Sequence, residues 1–183
     1  MNQEIEIETK RLILKGISPA FIHQLFQSKT KQQIINFFGV DENGYNHFKN
    51  MHENGMETFR ISQFFFLLIN KETHLPIGDC GFHTWNKTHN RAELYYGLRN
   101  EKDKQQGFMT EALQAVLNFG FNEMNLHRIQ ALVAKENTAS IKLLNRYQFL
   151  KEGTIREDYV VESVNENSEC YSLLKWEWLK KKL

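Results

Sequence analysis

Three short segments of the sequence carry residue types that could do chemistry together. In the first, RNEKDKQQGFMTEAL, a polar loop places Gly107 at the start of a predicted helix. The first turn of a helix presents unpaired N–H groups and a partial positive charge, so it can bind a phosphate. Glycine lets the phosphate approach closely because no Cβ stands in the way. The segment suits phosphate binding, although an ordinary strand–loop–helix connection would use the same glycine.

The other two segments lie on either side of it in the sequence and offer a base and a hydroxyl. The strand RAELYYGL places Glu93 among apolar residues, where its carboxylate either faces solvent or serves as a general base. In ENTASIKLLNRYQF, Asn137 occupies an N-cap position and Ser140 the third helical position. These two residues either cap a solvated helix or contact a bound ligand. Lys142 and Arg146 lie one turn apart on that helix, so they either meet solvent or meet a phosphate.

Hydrophobic periodicity predicts an alternation of strands and helices that would position these segments. Strands are predicted at residues 12–14 (with flanking Ile5 and Ile7), 64–70, 77–85, 91–98 and 128–134, and two last strands bracket a polar loop at 162–168. Helices are predicted from Ser18 and Pro19 onward, at 107–123 and at 138–147, with short helices and loops over 30–59. The short polar turns between the strands of residues 64–98 favour an antiparallel meander. The pattern is that of a mixed α/β or α+β fold.

Bulk properties narrow the class of protein. A length of 183 residues suits one domain over residues 1–183, and a net charge of +1 gives no electrostatic support for binding nucleic acid or a membrane surface. The longest apolar run, residues 64–69, is strand-sized, and the first fourteen residues lack an apolar leader, so neither a membrane span nor a signal peptide is expected. Cys80 and Cys170 form no CxxC pair and the seven histidines show no ligand spacing, so we expect reduced thiols, a cytoplasmic location and no metal.

The three segments, in this order and at these separations, resemble the GNAT acetyltransferase superfamily, and within it the RimJ/RimL-type N-acetyltransferases. The likeness runs from ETKRLIL through IGDCGF, RAELYYGL, QQGFMTEAL and ENTASIKLLNRYQF to YSLLKWEW, nearly the whole chain. It implies a mixed, mostly antiparallel, splayed sheet of six to seven strands flanked by about four helices.

The resemblance also implies acetyl-CoA as the acetyl donor. Its pyrophosphate would be held by the backbone N–H groups of residues 105–110, and its pantetheine arm would lie near the end of the Glu93 strand. The cofactor-binding residues implied in this way are Leu98, Gln105, Gln106, Gly107, Phe108, Met109, Thr110, Asn137, Ser140 and Lys142. The chain departs from the family pattern at Lys104 (usually Gln or Arg), at Met109 (usually small) and at Gln148 (usually Gly). If the last position needs a positive φ, glutamine is strained there.

For the reaction, the resemblance implies direct acetyl transfer to an amine. Glu93 would accept the ammonium proton, directly or through water, and a backbone N–H of residues 94–96 would stabilise the oxyanion. Many family members place a tyrosine where this chain has Leu144, so Ser140 is the better candidate to assist the leaving thiolate.

Three functions remain open for the sequence. The first is acetylation of a protein N-terminal α-amine, for example on a ribosomal protein. The second is acetylation of a small molecule such as a polyamine, an amino acid or a drug, and the third is a CoA-binding module without catalysis. Residues 30–59 and the loop at 162–168 are expected to wall the acceptor site, and a homodimer is compatible with the aromatic β region. A polyamine site should contain clustered carboxylates, and Asp41, Glu42, Glu53 and Glu57 are only weak evidence for such a cluster.

Overall fold

A computed structural model describes residues 5–180 of the chain. The first four residues, part of the segment for which no signal peptide is expected, and the last three lie outside the described range. The strands are β1 (Glu6–Glu8), β2 (Leu12–Ile17), β3 (Ser62–Asn70), β4 (Pro76–Asn86), β5 (Arg91–Leu98), β6 (Arg128–Val133), β7 (Leu150–Val161) and β8 (Val164–Leu174). The helices are α1 (Pro19–Ser28), α2 (Lys31–Phe38), α3 (Glu42–Asn54), α4 (Phe108–Asn122), α5 (Thr138–Arg146) and α6 (Lys175–Lys180).

All the described strands belong to one sheet with the order β1-β2-β3-β4-β5-β6-β8-β7. Each neighbouring pair is antiparallel except β5 with β6, which run parallel. The predicted mixed, mostly antiparallel sheet is therefore confirmed. Its size is larger than predicted, because residues 5–180 form eight strands and six α-helices instead of six to seven strands and about four helices.

Two of the sequence predictions are corrected at hairpins. Ile5 and Ile7 do not extend the strand at residues 12–14; they precede a turn, and Ile7 pairs with Leu14 of β2. The polar loop predicted at residues 162–168 is only a two-residue turn, Glu162 and Ser163, both with positive φ. Most residues of β7 and of the first half of β8 are exposed, so polar side chains occupy both faces and the strand periodicity is hidden.

Helices cover both faces of the sheet and form two cores. Helices α1–α3 pack on one face around Phe38, Phe65 and Leu67, while α4 and α5 pack on the other around Phe82 and Leu113. The helices begin where local capping predicts. Ser18 caps α1, Thr30 forms a capping box at the start of α2, and Asp41 caps α3.

The sheet opens at the one parallel pair. Residues 91–93 of β5 pair with residues 128–130 of β6, and the last of these pairs is Glu93 with Gln130. Beyond it, β5 continues to pair with β4 as far as Leu98, whereas β6 continues beside β8 as far as Val133. The two strands therefore diverge after Glu93, and the inner edge of β5 is left with backbone groups that none of the described strands satisfies. Among residues 5–180 no helix is long and apolar enough to cross a membrane.

Candidate active site

A cleft of about 530 Å³ lies beside the open end of β5, on the face covered by α4 and α5. It brings together residues from three segments that are distant in the sequence. Nine of the ten predicted cofactor-binding residues line it: Leu98, Gln105, Gly107, Phe108, Met109, Thr110, Asn137, Ser140 and Lys142. The tenth, Gln106, is not part of the lining.

The start of α4 forms one end of the cleft. Gly107 is the N-cap residue in a left-handed conformation (φ 80°), and Gln105 also has a positive φ of 58°. The first hydrogen bond of the helix runs from the Glu111 N–H to the Gly107 carbonyl at 3.0 Å. The N–H groups between these positions therefore precede the helical ladder, and the helix dipole adds positive potential there. This geometry suits a diphosphate.

Arg11 is a functional candidate that the sequence reasoning missed. Its Nη1 donates to the Gln106 carbonyl at 2.9 Å, and its Nε donates to Glu111 at 2.8 Å. Its guanidinium also lies 4.3 Å from the centre of the Phe108 ring. Burial raises the pKa of the Glu111 carboxyl, but hydrogen bonds from Thr9 and from Arg11 outweigh that effect and hold the pKa below its ordinary value. The turn before β2 thus ties down the loop that precedes α4.

Basic side chains at the mouth of the cleft add to this positive potential. Lys142 and Arg146 both line it, one helical turn apart on α5. Lys104 also lines it but forms an ion pair with Glu101 at 2.5 Å. The two cations on α5 are therefore better placed than Lys104 to meet a phosphate.

Ser140 lies in the cleft near the phenol of Tyr96. Burial raises the pKa of Tyr96, and a hydrogen bond with the Ser140 side chain opposes the shift. Tyr96 therefore stays protonated and can donate a hydrogen bond, a role that the sequence analysis did not assign to it. Leu144 is fully buried in the core, consistent with the absence of a tyrosine acid at that position. Asn137 accepts a hydrogen bond from the Ser140 N–H at 3.1 Å, so it caps α5 and lines the cleft at once.

Glu93 does not line the cleft; it lies at the point where β5 and β6 diverge. Its carboxylate accepts a hydrogen bond from Gln130 Nε2 at 3.2 Å, across the last pair of the parallel ladder. Its other oxygen lies 3.4 Å from Nε2 of His83, the residue opposite it on β4. Because side chains alternate along a strand, Glu93 faces the same side as Tyr95, the side of α1–α3. The Glu93 carboxylate and the Ser140 hydroxyl therefore lie on opposite sides of the gap.

A second cavity, of about 660 Å³, lies on the α1–α3 side of the sheet. Its lining comes from residues 40–56 and from β3, β4 and the end of β5: Val40, Gly44, His47, Phe48, Met51, Met56, Gln63, Phe65, Asp79, His83, Tyr95 and Arg99. His83 belongs to this lining and also contacts Glu93, so the cavity reaches the point of strand divergence. The expectation that residues 30–59 wall an acceptor site fits this cavity. Residues 162–168 take no part in either lining.

One further prediction concerns local geometry. Gln148 has a φ of 59°, so the position where the family usually has glycine does require a left-handed residue.

In residues 5–180 no group of three or more His, Cys, Asp or Glu side chains is arranged to hold a metal ion.

The sequence profile of the acetyltransferase (GNAT) domain matches residues 11–150. The chain belongs to the GNAT acetyltransferase family. An uncharacterized N-acetyltransferase p20 from Bacillus licheniformis is 44% identical over 114 residues, 62% of this chain. The chain spans 63% of p20, less than two thirds of its length. The uncharacterized N-acetyltransferase YoaA from Bacillus subtilis is 28% identical over 179 residues, covering 92% of this chain and 96% of YoaA.

Solved structures share this architecture over nearly the full chain. A mutant form of the spermidine/spermine N-acetyltransferase SpeG from Vibrio cholerae superposes with a TM-score of 0.71 at 17% identity, covering 96% of this chain and 100% of that one. The ribosomal-protein-S5-alanine acetyltransferase from Vibrio fischeri superposes with a TM-score of 0.68 at 19% identity, covering 96% and 99%. At these identities the likeness shows the fold alone, and it does not choose between the two kinds of acceptor.

Proposed function

We propose that this protein transfers the acetyl group of acetyl-CoA to a protein N-terminal α-amine, as RimL-type enzymes do, with a ribosomal protein as one candidate acceptor. The observation that carries this proposal is the arrangement around the gap between β5 and β6. A cleft suited to a diphosphate lies on one side, and a cavity that reaches Glu93 lies on the other. Two reactants can therefore approach each other through the gap, and holding them there supplies much of the rate.

The donor would occupy the cleft. The helix start at Gly107 would hold the pyrophosphate, Leu98 would lie beside the pantetheine arm, and Lys142 would meet a terminal phosphate. Beyond Glu93 the inner edge of β5 has no strand partner among residues 5–180, so its N–H groups are available to the thioester carbonyl.

The chemistry would use groups on both sides of the gap. Glu93 takes a proton from the acceptor ammonium, the amine nitrogen forms a bond to the acetyl carbon, and the carbon–sulfur bond breaks. The sulfur leaves as a thiolate, which Ser140 stabilises by a hydrogen bond. The thiolate then takes up the second proton that the nitrogen releases as the neutral amide forms, and this gives free CoA. Tyr96 lines the same cleft as Ser140, and we infer that it orients the Ser140 hydroxyl.

The alternative acceptor is a polyamine or another small amine, which one of the structural neighbours acts on by name. The acidic residues that could serve a polyamine are engaged elsewhere. Asp41 caps α3, Glu42 pairs with Lys31, Glu53 with Lys49, and Glu57 accepts from Ser62. None of the four lines the second cavity, whose only carboxylate among the described residues, Asp79, is paired with Arg99 at 2.9 Å.

A thiol-release assay with acetyl-CoA, run over N-terminal peptides and polyamines, tests this proposal. Acetylated peptide identified by mass spectrometry is the expected result. We expect Glu93→Gln to lower kcat by about 100-fold or more, with the largest loss at lower pH, where more of the acceptor is ammonium. Glu123→Gln, an exposed residue at the far end of α4, serves as the control and should leave kcat unchanged. Tight CoA binding without turnover of any amine would instead identify a binding module, and an unchanged pH profile in Glu93→Gln would remove the base assignment.

A further inference from the structure

The second cavity contains buried hydrogen-bond donors that nothing in the described chain satisfies. Gln63 Nε2 and Arg99 Nη1 are both buried, and neither has a hydrogen-bond partner among residues 5–180. Both side chains line this one cavity. A buried donor without a partner is costly, so such donors in a cavity mark the place where a ligand supplies acceptors.

The charge in the cavity is balanced before any ligand enters. Arg99 Nη2 pairs with Asp79 at 2.9 Å, which leaves Nη1 as the free arm of the guanidinium. Burial raises the pKa of the Asp79 carboxyl, with Arg99 and His47 opposing the shift. Arg99 is itself 18% exposed, so its charge is largely withdrawn from solvent. A second ammonium group entering here would meet an arginine and an already neutralised carboxylate, which is unfavourable.

The two donors stand at different distances from Glu93. Gln63 lies at the bulge of β3 opposite the β4 segment between Phe82 and Trp85, and this segment contains His83, the residue paired with Glu93. Asp79, which holds Arg99, lies four residues further along β4, or roughly 13 Å at the usual rise per residue of a strand. An extended peptide covers that distance with about four residues.

Part of the cavity wall is apolar. Phe48, Met51 and Met56 from the helical segment line the cavity together with Phe65 of β3. Two methionines give this wall an adaptable shape, which suits side chains of varied size.

Building on the proposed function, we infer that the second cavity reads the main chain of the acceptor. It accepts a peptide whose amine lies at Glu93, whose first carbonyl oxygen accepts from Gln63, and whose later carbonyl or carboxylate oxygen accepts from Arg99. The acceptor class is therefore an α-amine followed by peptide carbonyls, and not a chain of ammonium groups. Free amino acids share the amine and one carbonyl oxygen, but they are too short to reach Arg99.

Matched acceptors separate these classes. We would compare kcat/KM for a tetrapeptide amide beginning with Leu, for leucinamide, for 3-methylbutylamine and for spermidine, all with saturating acetyl-CoA. The third compound has the side chain of leucine and no carbonyl. We expect the tetrapeptide to be the best substrate, and 3-methylbutylamine to be at least about 100-fold worse than leucinamide, because a site built to hydrogen-bond a group rejects the analogue that lacks it.

Variants then test the role of each donor separately. Gln63→Leu should lower kcat/KM about 10-fold or more for leucinamide and for the tetrapeptide, and should leave 3-methylbutylamine unchanged. Arg99→Lys keeps a cation beside Asp79 but loses the guanidinium fork, so it should lower the rate for the tetrapeptide alone. Gln114→Leu, an exposed residue on α4, is the control and should change none of these rates. Thermal melting checks that each variant is folded.

The inference fails if spermidine or 3-methylbutylamine matches the peptide in the wild-type protein, or if the ratio of peptide to amine is the same in Gln63→Leu. If leucinamide is acetylated as well as the tetrapeptide, the role of Arg99 is refuted. If no amine is acetylated at all, the proposed function fails instead. Calorimetry of the tetrapeptide in the presence of CoA then tests the inference separately, since binding that weakens in Gln63→Leu upholds it and the absence of binding overturns it.

Discussion

Removing the guanidinium of Arg11 should weaken acetyl-CoA binding even though Arg11 does not line the cleft. The Arg11 side chain holds the loop before α4 by its bond to the Gln106 carbonyl and by its contact with Phe108. Its Nη2 also lies 3.5 Å from where a Cβ on Gly107 would be. Arg11→Met removes the contacts at Gln106 and Phe108, so the N–H groups at the start of α4 lose their fixed direction towards the phosphate.

The size of the effect follows from the contacts that are lost. A hydrogen bond from a charged donor contributes roughly 1.5–3 kcal/mol when it is sheltered. The Arg11 side chain is 39% exposed, so we discount this to about 1–2 kcal/mol for solvent screening. That corresponds to a rise in the Kd or KM for acetyl-CoA of about 5- to 30-fold. Glu111 keeps the hydrogen bonds from Thr9 and from the Arg11 backbone, so the protein should remain folded.

Isothermal calorimetry with CoA measures this change directly. Lys10→Met is the matched control, because Lys10 is the exposed neighbour and its loss removes the same charge. Arg11→Lys should fall between the wild type and Arg11→Met, since it keeps the charge but not the fork. Equal Kd values for Arg11→Met and the wild type would refute the positioning role. An equal loss of affinity in Lys10→Met would show that Arg11 acts only through its long-range charge.

Three further predictions concern stability and the leaving group. Hydrogen bonds from Arg128 lower the pKa of Glu152 to about 2. Glu152→Gln should therefore lower the free energy of unfolding at pH 7 by about 1 kcal/mol, a value discounted for solvent screening because the Glu152 side chain is 42% exposed. A lowered native pKa stabilises above the ordinary value of 4.5 and is lost as pH falls towards 2, so urea unfolding should show the difference vanishing across that window. Gln148→Gly relieves a left-handed glutamine and should raise the free energy of unfolding by about 0.5–1 kcal/mol in the same assay; a loss would show that the side chain compensates. Ser140→Ala should lower kcat about 10-fold, and Tyr96→Phe should add little to this loss if Tyr96 acts through the Ser140 hydroxyl; independent losses that multiply would show that Tyr96 acts separately.

The sequence determined the features that depend on neighbouring residues. The helix start at Gly107 and the cap at Asn137 are encoded within a few positions, and the structure has both. Strand β5 begins and ends where its apolar pattern does, at Arg91 and Leu98. The family pattern has glycine at the position of Gln148, which indicates a left-handed residue there, and Gln148 does have a positive φ. Local hydrogen bonds and alternation of side chains suffice for these features.

Tertiary structure alone decided which of these features meet. Arg11 contacts a carbonyl 95 positions away, and no local pattern marks it as a support of the loop before α4. The sequence could not show that Glu93 lies across the gap from Ser140, because that depends on where the parallel ladder ends. The donors of Gln63 and Arg99 can be recognised as ligand-binding groups only because β3, β5 and α3 enclose one cavity that both side chains line. Polarity can be read along a chain, but whether a polar group is left without a partner depends on everything that packs around it.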